Sequence, residues 1–170
     1  TSHHAAMLFY LDNWQNTTDK STFDRGGRQK KKQGKFSGIN ENYARELMEL
    51  HTLGVDGGYT QADVVALARI LTGHGIQNRR SWLVKRDGLE NVNGYFFDSR
   101  RHDYSDKILL GQPIKGTGKG EINQALDILA RHPSTARHIS FKLAQYFVND
   151  KPSDKLVERL AKKYQATDGD

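Results

Sequence analysis

Residues 38–76, GINENYARELMELHTLGVDGGYTQADVVALARILTGHGI, decide how this chain folds. They read as two capped helices joined by a glycine-rich elbow, GVDGGY, at residues 54–59. The first helix is expected over residues 40–53. Asn40 offers a side-chain oxygen to the free amides of the opening turn, and Gly54 tolerates the left-handed geometry that ends a helix. Side chains three and four apart share a face, so Tyr43, Leu47 and Leu50 are expected to be buried together. Asn42, Glu46 and Glu49 fall along the edge of that face, which makes the two carboxylates neighbours. Arg45 stands four residues from both Glu41 and Glu49, a spacing that favours ion pairs on the other flank.

The second helix opens at Thr60, with Asp63 placed to reach back to it in a capping box. From Val64 to Leu71 it is apolar on nearly every side, the pattern of a helix surrounded by neighbours. Arg69 interrupts that pattern. A buried guanidinium requires a partner, and the nearest acids in sequence are Glu46 and Glu49. The same residues support two readings. In one, Arg69 and a glutamate form an internal ion pair that braces the helices. In the other they line a cleft, where the carboxylates hold a divalent metal or an activated water.

The runs NENYARELMELHTLG and GGYTQADVVALARILTG closely resemble the bacterial Domain of Unknown Function 1800 family. AMLFYLDNW at residues 6–14, FFDSRRHDYSDKILLG at residues 96–111 and the helical stretch 122–148 resemble other parts of it, so the likeness spans nearly the whole chain. The resemblance implies an exported bacterial protein, periplasmic or secreted, of undetermined activity. Family members are usually longer, with an additional N-terminal helical half. This implies that residues 1–170 are a C-terminal fragment whose natural partner is the missing half of the same protein. His4 stands where the family often has histidine, whereas His3 carries no such signal.

Beyond residue 76 helical periodicity is lost. Tyr95, Phe96 and Phe97, then Ile108, Leu109 and Leu110 before Gly111, suggest two strands of one small hairpin joined by SRRHDYSDK. That connection carries His102 and Asp103, followed by Lys107, and a histidine beside a carboxylate can ligate a metal or relay a proton. KGTGKG at residues 115–120 lacks the spacing of a phosphate loop and reads as a turn before a helix. Helices are then expected over residues 121–131, from about Ser134 to Asn149, and after a Ser153 cap. Their inward residues would be Ile122, Ala125, Leu126 and Leu129, then Ala136, Ile139, Leu143 and Phe147, then Leu156, Leu160 and Tyr164.

Composition narrows the classes. The chain has no cysteine, which removes disulfides, thiolate metal sites and cysteine nucleophiles. Its longest apolar run, residues 5–11, is far short of the roughly 20 residues a membrane span needs. The net charge is +6, and residues 24–35 supply most of it, with six cationic side chains against Asp24. Residues 15–39 are accordingly expected to be a flexible basic loop. Arg28, Lys30, Lys31, Lys32 and Lys35 are its candidates for contact with an anionic surface. No aromatic side chain lies within the charged run to stack on bases, so nucleic acid is a poor fit. The elbow has too few oxygen donors for calcium, and no convincing recognition helix follows residue 76, although Arg79, Arg80, Lys85 and Arg86 could touch phosphate.

The expectation is a mainly α, orthogonal multi-helix single domain with one small β-hairpin. Its candidate catalytic residues are Glu46, Glu49, Arg69, His102 and Asp103, and its candidate metal ligands are Glu46, Glu49 and His102. A metal-assisted hydrolase and a noncatalytic envelope scaffold are the competing functions.

Overall fold

A computed structural model describes residues 3–18, 38–76 and 94–169. Among these the fold is mainly helical, with six helices and two short antiparallel strand pairs. Helix α1 (Ala5–Tyr10) is capped by His4, whose ring nitrogen Nδ1 accepts from the Ala6 amide at 3.2 Å. A 3-10 turn, Asn13–Gln15, follows. Of the loop expected over residues 15–39, residues 19–37 lie outside the described residues. Asn16, Thr17 and Thr18 are buried.

Two asparagines explain that burial. Asn13 Nδ2 donates to the carbonyls of Leu71 (3.1 Å) and His74 (2.6 Å), and Asn16 Nδ2 donates to the carbonyl of Ala68 (2.8 Å). Asn16 Oδ1 accepts from the Asn40 amide at 2.9 Å, so one side chain satisfies backbone groups from two segments.

Helix α2 (Asn42–Glu49) opens under Asn40, whose Oδ1 accepts from the Asn42 amide at 3.0 Å. It stops sooner than its apolar pattern suggests. Thr52 Oγ1 takes the Leu47 carbonyl at 2.8 Å and the Gly54 amide takes that of Met48 at 3.1 Å, which ends the last turn. Tyr43, Ala44, Leu47 and Met48 are buried, whereas Leu50, just past the helix, is 59% exposed.

Helix α3 (Gln61–Ile70) begins with the expected capping box: Thr60 Oγ1 accepts from the Asp63 amide and Asp63 Oδ2 accepts from the Thr60 amide at 2.8 Å. Its core side contains Val64, Leu67, Ala68 and Ile70, which pack with Tyr43, Leu47 and Met48 of α2 and with Leu8 and Leu11.

The strands pair differently from the expected hairpin. Strand β1 (His74–Ile76) pairs with β2 (Tyr95–Phe97), His74 opposite Phe97, and β3 (Lys107–Leu109) pairs with β4 (Gln112–Ile114). Tyr95–Phe97 and residues 108–110 therefore belong to separate ribbons. Leu110 and Gly111 both have positive φ, 49° and 76°, the geometry of a two-residue turn whose twist matches the flanking strands. Leucine is costly there. Its amide is held by Asp63 Oδ1 at 2.7 Å, which ties the turn to the start of α3.

Helices α4 (Glu121–Arg131), α5 (Pro133–Phe147) and α6 (Asp154–Ala166) complete the described fold. Pro133 sits in the first turn of α5 with His132 as cap, and Ser153 caps α6. The buried stripe of α5 is Ala136, Ser140 and Ala144 rather than Ile139, Leu143 and Phe147. Small side chains at every fourth position form the packed side, and Leu143 and Phe147 are 51% and 75% exposed.

Asp63 serves α3 and the β3–β4 turn together. Burial works to raise its pKa, but the bonds from Thr60 and from the Leu110 amide outweigh it and hold the carboxyl below its usual range. Folding therefore favours the ionised form, and the stabilisation is complete above the ordinary value of 3.8 and lost as pH falls below it. Asp63→Ala is expected to lower stability at neutral pH by about 1–3 kcal/mol. In urea denaturation the gap from wild type should close in acid.

Candidate functional site

The largest concentration of buried polar chemistry is at the N-terminus of α4, away from the pair of helices that the sequence points to. Glu121 is the first residue of α4 and is fully buried. Its Oε1 accepts from the Gly118 amide at 2.7 Å and lies 2.9 Å from His102 Nε2, while its Oε2 accepts from Lys107 Nζ at 2.7 Å. The side chains of His102, Lys107 and Glu121 are 0%, 1% and 0% exposed.

Each member is positioned by another element. Lys107 opens β3, and its Nζ also donates to the carbonyl of Asp103. His102 follows the 3-10 turn Ser99–Arg101, and its Nδ1 lies 2.8 Å from the Thr72 carbonyl just beyond α3. A carbonyl can only accept, so Nδ1 carries a hydrogen. Thr72 Oγ1 in turn accepts from the Asp103 amide at 2.8 Å and donates to the Arg69 carbonyl at 2.5 Å. Tyr104 stands edge-on to His102 with ring centres 4.9 Å apart, and Phe97 lies 5.4 Å away on a tilted ring.

Electrostatics agree with an ionised Glu121. Burial pushes its pKa up, but hydrogen bonds from His102, Lys107 and Gly118 together outweigh it and hold the carboxyl below its usual range. Asp103 is also held low: burial raises it, and the bonds from Ser105 with the charges of Lys107 and Arg69 prevail.

The residues singled out from sequence divide into two groups. Arg69, His102 and Asp103 are brought together: Arg69 Nε is 3.9 Å from Asp103 Oδ2, and His102 adjoins Asp103 in the chain. Glu46 and Glu49 do not join them. Glu49 lies 3.7 Å from Arg45 and near the Tyr59 hydroxyl, whose pKa it helps to raise, and among the described residues neither glutamate is ion-paired with Arg69 or bonded to His102. The expected pairing of Arg69 with a glutamate of α2 is replaced by one with Asp103. Arg69 is 44% exposed on the solvent side of α3, so no buried guanidinium needed compensation. Among the described residues, no three of His, Asp or Glu converge as a metal-binding group. Arg28, Lys30, Lys31, Lys32 and Lys35 lie outside the described residues, as do Arg79, Arg80, Lys85 and Arg86.

Sequence reasoning missed Glu121 as a polar centre. A signal was present: Glu121 opens a predicted helix after KGTGKG, where an acidic side chain can take free backbone amides, and it accepts from the Gly118 amide. It also missed His74, which is 1% exposed and lies 2.7 Å through Nδ1 from the Tyr95 hydroxyl. His3, set aside as uninformative, packs edge-on to Tyr95 at 5.1 Å and 5.9 Å from the His74 ring.

With this geometry established, comparison with known proteins gives one result. The sequence model of the family described as Protein of unknown function (DUF1800) matches residues 1–170, and the chain belongs to that family. No curated protein and no solved structure matches it.

Removing the acid from the buried cluster should take from Lys107 its nearest counter-charge and leave only Asp103 at 4.0 Å. Glu121→Gln is expected to destabilise the fold by about 3–5 kcal/mol, the range for breaking a buried pair. Arg69→Gln, at a largely exposed pair, should change stability by less than about 1 kcal/mol. Denaturant midpoints at unchanged slope distinguish the two.

Proposed function

We propose that this domain is a noncatalytic module of the bacterial envelope, in which the His102–Lys107–Glu121 cluster braces the fold. The single observation that carries this reading is the closure of the cluster. All three side chains are at most 1% exposed, and their polar atoms face partners within the protein. A general acid, base or ligand has to reach substrate, and among the described residues these groups meet one another, the backbone and the side chains of Thr72 and Asp103.

A metal-assisted hydrolase would require Glu46 and Glu49 to act with His102 across a cleft and Arg69 to clamp an anion. The separate engagement of Glu49 with Arg45 and Tyr59 gives that assembly no support. Export belongs to the proposal through family resemblance. No helix of the described residues is long and apolar enough to cross a membrane.

The contact with an anionic surface is assigned to residues 24–35, where the cationic side chains outnumber the acidic ones six to one. Such a segment binds polyanions through counterion release, with affinity falling steeply as salt rises. Replacing Lys30, Lys31 and Lys32 with glutamine should shift elution from immobilised heparin to markedly lower salt, and unchanged retention would reject the docking role.

Solvent reach of the cluster is directly measurable. In diethyl pyrocarbonate labelling of the native chain, His4 and His51, both exposed, should react readily while His102 stays unmodified until the protein is unfolded. Labelling of His102 at the rate of His4 would place it in an open cleft and restore the catalytic reading.

A further inference from the structure

Two apolar stripes that the sequence marks for the interior meet in the open. Ile139, Leu143 and Phe147 recur every fourth residue on α5, and Leu156, Leu160 and Tyr164 do so on α6, the periodicity of helix faces with a covering. The residues buried instead are Ala136, Ser140 and Ala144 of α5 and Val157 of α6. Ile139, Leu143 and Phe147 are left lining an open groove with Leu160 and Tyr164, and its volume of about 370 Å³ is in the range of sites that accept apolar groups from outside.

The apolar face continues to the end of α5, where Tyr146, Phe147 and Val148 are 83%, 75% and 67% exposed. The Tyr146 ring stands edge-on to that of Phe147 with centres 4.8 Å apart, so the patch is continuous. Single apolar side chains on a surface are ordinary, whereas a contiguous group of large ones marks an interaction site.

The charges beside the patch identify the occupant. Over residues 155–163 the exposed cations Lys155, Arg159, Lys162 and Lys163 stand against Glu158 alone, and Lys163 lines the groove itself. None of the four is ion-paired among the described residues, and the nearby acids Asp154 and Asp168 are held by Arg137 and Arg131. Asp150 and Lys151, in the turn between the helices, cancel. A partner must therefore be apolar where it meets Leu143 and Phe147 and negative where it meets α6. A second copy of this chain fails the second condition, because a two-fold contact sets the same cations against themselves. An acidic protein would need a surface shaped to three side chains that stand out into solvent. An anionic bilayer meets both conditions without a matched shape, since it offers acyl chains beneath negatively charged head groups. Tyr146 suits that boundary, with an apolar ring and a polar hydroxyl.

We propose that the α5–α6 face docks on an anionic lipid surface. Leu143, Tyr146, Phe147 and Val148 enter the edge of the acyl layer, and Arg159 and Lys163 pair with head-group phosphates. This goes beyond the docking role given to residues 24–35, and the test leaves those residues unchanged in every variant.

The absence of cysteine makes the test site-specific. In the whole chain carrying Phe147→Cys, labelled with an environment-sensitive fluorophore, vesicles of phosphatidylglycerol and phosphatidylcholine should shift the emission to the blue, and acyl-brominated lipid should quench it. Vesicles of phosphatidylcholine alone should produce neither effect at the same lipid concentration. The same label at Ile108→Cys, an exposed position on β3, which packs on α3, should not respond. In unlabelled cosedimentation, Phe147→Ser is expected to bind about tenfold more weakly, and Arg159→Gln and Lys163→Gln about fivefold more weakly each. All three positions are exposed, so these variants should fold as wild type. Vesicle binding with no response at position 147, or undiminished binding by the variants, would overturn the proposal and leave residues 24–35 as the docking element. Equal binding to neutral vesicles would overturn it too. Failure to bind any vesicle would leave the face to an acidic protein, and a dimer abolished by Phe147→Ser would assign it to a second copy; either result overturns the lipid contact.

Discussion

The carboxylate of Glu121 is the constraint on which the described fold depends. Taken into the interior alone it would lose hydration worth several kcal/mol. It is tolerated because donors from three places converge on it: the Gly118 amide at the start of its own helix, Lys107 from β3 and His102 from the loop after β2. The start of a helix is also the end at which a negative charge is favoured by the aligned backbone dipoles. Two of the donors secure carbonyls of their own, His102 that of Thr72 and Lys107 that of Asp103. One negative charge thus fastens the end of α3, the 102–107 connection, β3 and α4.

That requirement explains why the strands avoid the simple hairpin. A hairpin loop from β2 to β3 would leave SRRHDYSDK in solvent with its charges hydrated. Here His102 and Lys107 of the same segment turn inward while residues 104–106 stay exposed, because His102 must reach both Thr72 and Glu121 and the Asp103 amide must reach the Thr72 hydroxyl. The two apolar runs at its ends are held apart by this path, so each finds another partner: β2 the strand that follows α3, and β3 the strand after the Leu110–Gly111 turn. Asp63 then locks that turn to α3 through the Leu110 amide. Burying His102 and Lys107 at the two ends of this path brings the β3–β4 ribbon against α3.

The parts legible in sequence are those governed by neighbouring residues. The Thr60–Asp63 capping box, the α4 span and the Ser153 cap depend on side chains within three positions of the backbone they bind and stand as read, while Asn40 bonds the Asn42 amide from one position before the cap of α2. Family membership was legible too, since it rests on runs of residues. Features set by distant partners were not. Arg69 was expected inside because its neighbours are apolar, yet it occupies the one stripe of α3 left to solvent and meets Asp103, 34 positions away. Leu143 and Phe147 were expected inward for their size, but the stripe chosen is the one whose small side chains pack closely. The α2 carboxylates drew attention by their spacing, while Glu121 and Lys107 meet only through tertiary structure, 14 residues apart in the chain.

His102 and His74 show why burial by itself does not mark a site. Their rings are 6.4 Å apart, and both residues are buried. The difference is in their partners. His102 faces an acceptor at each nitrogen, and the lysine beside it is matched by a carboxylate, so the group is closed chemically and contributes rigidity. Among the described residues His74 has only the Tyr95 hydroxyl, and its second ring nitrogen is without a hydrogen-bond partner. A folded protein seldom leaves a buried nitrogen without a partner, because the omission costs stability on every molecule.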